Sequence, residues 1–244
     1  MSRITVPFFM GEPMSFLGRV PSDVELTPTL PEGAPQERMG VLCRHLADLV
    51  AAVDVPTVVA GDCVAAIGVL AGLQRKGLDP TVLWFDAHGD FHTWDTTGSG
   101  FLGGMPLAML TGRGEQTIVA AAGLQPIGDG RVVLVGARDL DPGEDAAVAS
   151  SGMRVAEVAD VPSLDLPGPL YVHLDVDVVD PDDLPAVNYP VPGGPSLAET
   201  LAVLEWLAAT GRVVALSVSA WNPRLPGAEQ AAAATLGLAA PFEG

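Results

Sequence analysis

The chain has 244 residues, 48% of them hydrophobic and 17% charged, a balance that argues against disorder along its length and leaves ample material for one large core. Thirty acidic residues against twelve basic ones give a net charge of −18. So negative a surface repels phosphate backbones and anionic membranes, so neither nucleic acid nor membrane is an expected partner.

Short β-branched runs alternate with longer Ala/Leu-rich ones. The N-terminal segment 1–18 holds a short apolar run broken by Pro7, without the long apolar region of a secretion signal. Residues 21–35 are rich in proline and read as a surface loop. A helical pattern follows over 42–50, with His45 on its surface or half-buried. The next predicted elements are a strand at 57–60, a helix at 64–75 and a strand at 81–85. The apolar stretch 46–73 is interrupted by Asp48, Asp54 and Asp62, which excludes a membrane span. Further strands are predicted at 131–135 and 170–174, then a helix at 197–209 feeding a strand at 213–218. Strands separated by helices of this length imply right-handed crossovers and a mainly parallel sheet. No repeat or long linker divides residues 1–244, so one domain is expected. Cys43 and Cys63 cannot make a disulfide framework, and a cytoplasmic protein is expected.

Acidic residues collect at the strand ends. Gly61-Asp62 follows the first of these strands, Asp86 the second, Arg138-Asp139 the third, and Asp175 and Asp177 the fourth. Ligands of open parallel sheets bind just beyond those carboxyl ends. In Asp86-Ala87-His88-Gly89-Asp90 a buried strand runs into Asp, His and Asp at alternate positions. An extended backbone would project all three side chains to one side. Carboxylates with a neutral imidazole suit Mn²⁺, Fe²⁺ or Zn²⁺ better than Ca²⁺; the alternative is a polar loop that caps a helix. In His173-Leu174-Asp175-Val176-Asp177 the polar residues again share one face. Carboxylates so close repel one another, and burying them unpaired costs several kcal/mol, roughly. A cation removes both penalties. Together the two motifs offer oxygen ligands for two ions, which can bridge a water and lower its pKa towards neutrality.

At these residues the sequence resembles the ureohydrolase family of arginase, agmatinase and formiminoglutamase. Gly61-Asp62-Cys63 sits where the family has G-D-H, and Asp86-Ala87-His88-Gly89-Asp90 is similar to its D-A-H-x-D. Ser99-Gly100-Phe101-Leu102-Gly103-Gly104-Met105-Pro106 resembles S-G-x-x-H-G-M-P, and Arg138-Asp139-Leu140-Asp141-Pro142-Gly143-Glu144 resembles R-D-x-D-x-x-E. Asp175-Val176-Asp177 with Asp180-Pro181 is similar to D-V-D-x-x-D-P, Pro192-Gly193-Gly194 to P-G-G, and Ala220-Trp221-Asn222-Pro223 to E-x-N-P apart from its first residue. The resemblance implies a three-layer α/β/α sandwich with a mainly parallel central sheet, assembled as a homo-oligomer. It also implies a dimanganese site that hydrolyses guanidinium or formimino C–N bonds of a small-molecule substrate. Its metal ligands would be Asp86, His88, Asp90, Asp175 and Asp177, with Cys63 at the sixth position; Asp90, His92 and Asp141 form the expected catalytic set.

The departures fall on the chemistry. Cys63 replaces a ligating histidine; it is either a softer ligand, which admits Zn²⁺ or Fe²⁺ in place of Mn²⁺, or a small buried residue opening a helix. Gly103 replaces the loop histidine that shuttles protons, and Ala220 the glutamate that holds the guanidinium. His92 and His173 each lie two residues from a ligand position and could supply the lost imidazole or proton donor. Trp84 reads as core, whereas Trp94 and Trp221 could wall a more apolar pocket. Two readings follow: a rebuilt hydrolase of altered specificity, or an impaired enzyme kept as a metal-binding or subunit-interaction partner. Retention of the other ligand types favours the first.

Overall fold

The computed structural model describes residues 2–15, 20–219 and 221–243. Its centre is an eight-stranded sheet in which every neighbouring pair is parallel. The strands of the chain are β1 (Ser2–Val6), β2 (Phe8–Phe9), β3 (Glu12–Pro13), β4 (Val24–Glu25), β5 (Pro56–Ala60), β6 (Thr81–Phe85), β7 (Val132–Val135), β8 (Arg154–Ala156), β9 (Leu170–Asp175) and β10 (Val213–Ser219). Across the sheet they run β4-β1-β5-β10-β9-β6-β7-β8, while β2 and β3 form a separate antiparallel hairpin. β5 and β6 are buried at every position, which is what continuous apolar runs covered on both faces require.

Among the described residues, seven α-helices complete the layers: α1 (Pro35–Ala52), α2 (Ala65–Arg75), α3 (Pro106–Leu110), α4 (Thr117–Ala122), α5 (Glu144–Ser150), α6 (Leu197–Ala209) and α7 (Ala228–Ala239). Strand residues alternate between two apolar clusters. Val58, Trp84, Leu134 and Tyr171 pack with α1 to α4 on one side. Val59, Leu83, Val133 and Val172 pack with α6 and α7 on the other. The three-layer arrangement is thus the one the family resemblance implied. α6 begins where a capping box places it, with Ser196 Oγ accepting from Glu199 N at 3.2 Å and Glu199 Oε2 accepting from Ser196 N at 2.8 Å.

Two expectations are corrected. Helix α1 reaches back to Pro35, a residue read as loop; proline is well suited to the first helical position, where its missing N–H would be unpaired in any case. The proline-rich segment also contributes β4, paired to β1 through Ile4–Val24 and Thr5–Glu25. No helix among the described residues is long and apolar enough to cross a membrane.

One feature of the strand order positions the site. β9 and β10 come late in the chain yet insert between β5 and β6. Their register aligns Ser217, His173 and Trp84 in one row, and Ser219 with Asp175 in the row above. Asp86 follows β6 at that same upper edge, and Cys63 lies just beyond β5.

Candidate metal centre

The first acidic motif converges through a turn instead of an extended strand. β6 stops at Phe85, Asp86 N donates to Val135 O at 3.1 Å, and His88 N donates back to Asp86 Oδ1 at 2.8 Å. Asp90 takes a left-handed backbone, φ 49°, a conformation that Asp and Asn adopt more readily than other non-glycine residues. The second motif also leaves its strand. β9 ends at Asp175, whose Oδ1 accepts from Asp177 N at 3.0 Å and caps a 3₁₀ turn over Val176–Val178. The guanidinium of Arg138 secures that turn by donating to Asp177 O at 3.1 Å, Val178 O at 3.0 Å and Val191 O at 2.6 Å.

These turns bring His88 Nδ1 to 3.1 Å from Asp177 Oδ2 and 3.3 Å from Asp86 Oδ1. Cys63 enters from the other side. Its thiol donates to Asp175 Oδ2 at 2.8 Å and lies 2.9 Å from Ser219 Oγ. The loop that carries it is anchored by Asp62, which accepts from Met10 N at 2.7 Å and Val64 N at 3.1 Å. Gly61 must be glycine there, because a Cβ would meet Phe8 O at 2.1 Å.

Two donor groups result among the described residues. Cys63, Asp86 and Asp90 each offer one ligand atom, all within 4.8 Å of one another; so do Asp86, His88 and Asp177. Asp86 belongs to both. Asp86, Asp90 and Asp177 are buried and Asp175 half-buried. Burial, then mutual repulsion, raises the carboxyls of Asp90 and Asp177, and Asp175 reaches about 7. Asp86 is also raised by burial, against the His88 hydrogen bond. Burial pulls the His88 imidazole down, but hydrogen bonds to Asp177 and Asp86 overcome it and push it up to about 12. The Cys63 thiol is driven up by burial and then by Asp175, Asp90 and Asp86. Among the described residues Asp90 Oδ2 has no hydrogen-bond partner. Orphaned buried carboxylate oxygens are costly, and a divalent ion beside this one relieves both the repulsion and the missing partner. The donor set therefore fits divalent metal ions, and these residues could hold two of them around Asp86.

A cavity of about 510 Å³ opens onto this centre. Along its wall the buried His92 places Nε2 at 3.2 Å from Asp141 Oδ2 and 3.8 Å from Glu144 Oε2, with Nδ1 at 3.2 Å from Thr96 Oγ1. Asp141 is open to solvent, its side chain 65% exposed. The mouth is framed by Phe9, Phe101 and Tyr189; the Phe101 and Tyr189 rings are 5.7 Å apart and the Phe9 and Phe101 rings 6.3 Å. Neither Trp94 nor Trp221 lines the cavity. Trp94 is 43% exposed and donates to Glu115 Oε2 at 2.9 Å, and Trp221 packs in the cluster beneath α6 and α7.

His173 is not among the donors of either group. It sits one row below, with Nδ1 at 2.8 Å from Ser217 Oγ and its ring centroid 3.9 Å from that of Trp84. Burial lowers its pKa to about 3. At Gly103 a Cβ would meet the Phe101 ring at 2.3 Å, so this aromatic takes up the room beside the altered loop position. Ala220 lies outside the described residues. Glu144 is matched in the sequence only as the last residue of the R-D-x-D-x-x-E segment, with no role assigned, and Ser219 is not singled out there. Glu144 accepts from Phe91 N at 2.8 Å and Asp141 N at 3.2 Å, and only its place three residues after Asp141 hints at this. For Ser219 the signal was the Ser217–Ser219 alternation on one strand face.

Residues 18–242 match the family described as the Arginase family, and the chain belongs to it. It is 36% identical over 184 residues to the arginase of Bacillus subtilis (strain 168), a match covering 70% of this chain and 62% of that one. To the arginase of Agrobacterium fabrum it is 34% identical over 203 residues, covering 75% and 62%. The chain thus spans about 62% of the length of these relatives. The solved structure of the arginase from Bacillus caldovelox superposes with a TM-score of 0.82 at 27% identity, covering 100% of this chain and 99% of that one.

Proposed function

We propose that this chain is a metal-dependent hydrolase that cleaves a linear amidine-, guanidino- or ureido-type C–N bond of a small molecule, with a specificity altered from that of arginase. The observation that carries the reading is the pair of donor groups meeting at Asp86, one of which includes Asp90, a residue that lines the cavity and whose buried Oδ2 has no partner among the described residues. The proposed ligands are Cys63, Asp86, His88, Asp90, Asp175 and Asp177. Two Mn²⁺ ions are the proposed occupants, with Zn²⁺ or Fe²⁺ admitted by the sulfur. Held there, such ions supply an activated water and polarise the C–N carbon.

The remaining roles belong to the chain. Asp90 Oδ2 accepts a proton from the attacking water. His92 Nε2, held by Asp141 Oδ2, carries the proton needed by the departing nitrogen, a duty Gly103 cannot perform. Glu144 braces that pair from behind by accepting from Asp141 N. With alanine at position 220 in place of the glutamate, a substrate without a full guanidinium at its reacting end is favoured, and Phe9, Phe101 and Tyr189 give the cavity an aromatic lining for the rest of it. One arginase-like domain, working as a cytoplasmic homo-oligomer, completes the proposal.

The Phe101 ring beside Gly103 favours a second reading, an impaired enzyme that keeps its metals for a binding role. Metal-loaded protein assayed for urea, ammonia and formamide separates the two. Turnover of any amidine or ureido compound supports the hydrolase, and about two bound ions without turnover supports the second reading.

A further inference from the structure

The two donor groups that share Asp86 are chemically unlike. One combines the Cys63 thiol with Asp86 and Asp90, and Asp175 Oδ2 lies against its sulfur at 2.8 Å. The other combines His88 Nδ1 with Asp86 and Asp177 and contains no sulfur. Thiolate is a soft donor that raises the preference for Zn²⁺ over Mn²⁺, while carboxylate-rich sets suit Mn²⁺. A thiol in a buried place need not be a ligand, and Cys43 shows what the packing role looks like here. Its sulfur donates to a main-chain oxygen, Val64 O at 3.5 Å, inside the apolar cluster under α1. Cys63 belongs to the same cluster, yet its sulfur lies 2.8 Å from Asp175 Oδ2 and within 4.8 Å of a carboxylate oxygen of Asp86 and one of Asp90, and among the described residues the buried Asp90 Oδ2 has no partner.

We propose that the centre holds a mixed pair, Zn²⁺ in the position of Cys63, Asp86, Asp90 and Asp175, and Mn²⁺ in the position of His88, Asp86 and Asp177. The proposal rests on the two-ion reading above and deepens it. Coordination displaces the thiol proton, which the sulfur now donates in its hydrogen bond to Asp175 Oδ2, and that proton leaves to solvent. Both positions hold carboxylates and the second adds the His88 imidazole, but the sulfur is the softest donor of the two sets and is what keeps zinc in the first position against an excess of manganese. Replacing the sulfur with a nitrogen or oxygen donor therefore removes the discrimination.

The test uses the full chain, stripped with chelator and dialysed against excess Mn²⁺ with a single molar equivalent of Zn²⁺. Elemental analysis is expected to give about one equivalent of each ion per chain. Electron paramagnetic resonance should then show an isolated Mn²⁺ ion, not an exchange-coupled pair. With Co²⁺ in place of Zn²⁺, a near-ultraviolet thiolate-to-cobalt charge-transfer band should appear. Cys63→Ser should lose that band, and Cys63→His should take up manganese in both positions and show the coupled spectrum. Should either variant fail to fold by circular dichroism, the cobalt spectrum of the unmodified chain still decides. Two manganese ions with a coupled spectrum in the unmodified chain, or a cobalt derivative without the sulfur band, overturns the mixed pair and leaves the two-ion reading standing. Binding of no metal overturns both.

Discussion

The indole Nε1 of Trp84 donates to Asp86 Oδ2 at 3.1 Å, from a side chain with no exposed surface. Trp84 belongs to the row beneath the site, where its ring lies on His173, and the hydrogen bond fixes the rotation of the carboxylate that both donor groups share. Partners of this outer kind typically contribute 10–100-fold to metal affinity, roughly. Trp84→Phe keeps a ring against His173 and removes the donor. Metal affinity is expected to fall about 10–100-fold, as measured by chelator competition, with the circular dichroism spectrum retained. An unchanged affinity would show that Asp86 is held by other contacts.

Asp90 carries a burial cost that a bound cation offsets. Its Oδ2 is unpartnered, and its backbone, φ 49°, is one that asparagine also tolerates. Asp90→Asn removes the charge without changing the shape. Metal-free Asp90→Asn is expected to be about 1–3 kcal/mol more stable than the unmodified chain, while the rise in melting temperature on adding Mn²⁺ shrinks or vanishes. Denaturant melts with and without metal check both halves, and a variant less stable in the absence of metal contradicts the account.

The same imbalance sets a pH dependence. Asp175 is raised from 3.8 to about 7 and His88 from 6.5 to about 12. A group whose folded pKa is raised holds more protons in the folded state than in the unfolded one. Its contribution is complete below the unfolded value and is lost as pH climbs through the folded value. His173, lowered to about 3, acts oppositely, but only below 6.5. Above pH 6.5, therefore, Asp175 and His88 act in one direction. The melting temperature of the metal-free protein is expected to fall as pH rises from there. Because bound metal replaces those protons, the gap between loaded and metal-free melting temperatures should widen. A gap that stays constant with pH would contradict this.

His92 is buried against Asp141 and Glu144. If it carries the proton for the departing nitrogen, His92→Ala should lower kcat by about 10²–10⁴-fold with metal content unchanged. A variant that loses metal along with activity would instead make His92 part of the ligand shell.

The parts of this architecture that local chemistry determines were legible in the sequence. The runs at 57–60 and 81–85 fall within β5 and β6 because central parallel strands are apolar at every position. The helix at 197–209 has the bounds of α6 because Ser196 and Glu199 cap it. What the sequence hid depends on long-range placement. Nothing local indicates that β9 and β10 insert between β5 and β6, which is what brings Cys63, Ser219 and Asp175 together. The alternate spacing of Asp86, His88 and Asp90 suggested an extended strand, and the left-handed Asp90 breaks it. Trp94 and Trp221 follow site motifs in sequence yet lie outside the cavity, whereas Phe9 and Tyr189, far away in the chain, frame its mouth. Proximity in sequence to a ligand says little about a side chain once the backbone turns.

The central claim is that the carboxylate centre performs metal-dependent C–N hydrolysis. It is tested most directly by measuring release of urea, ammonia or formamide from a panel of guanidino, amidino, formimino and ureido compounds, with metal-loaded protein and Asp90→Asn as the blank. The account expects at least one compound to be turned over, with the activity lost on chelation, restored by metal and absent in Asp90→Asn. A fully loaded protein that releases nothing across the whole panel would contradict it.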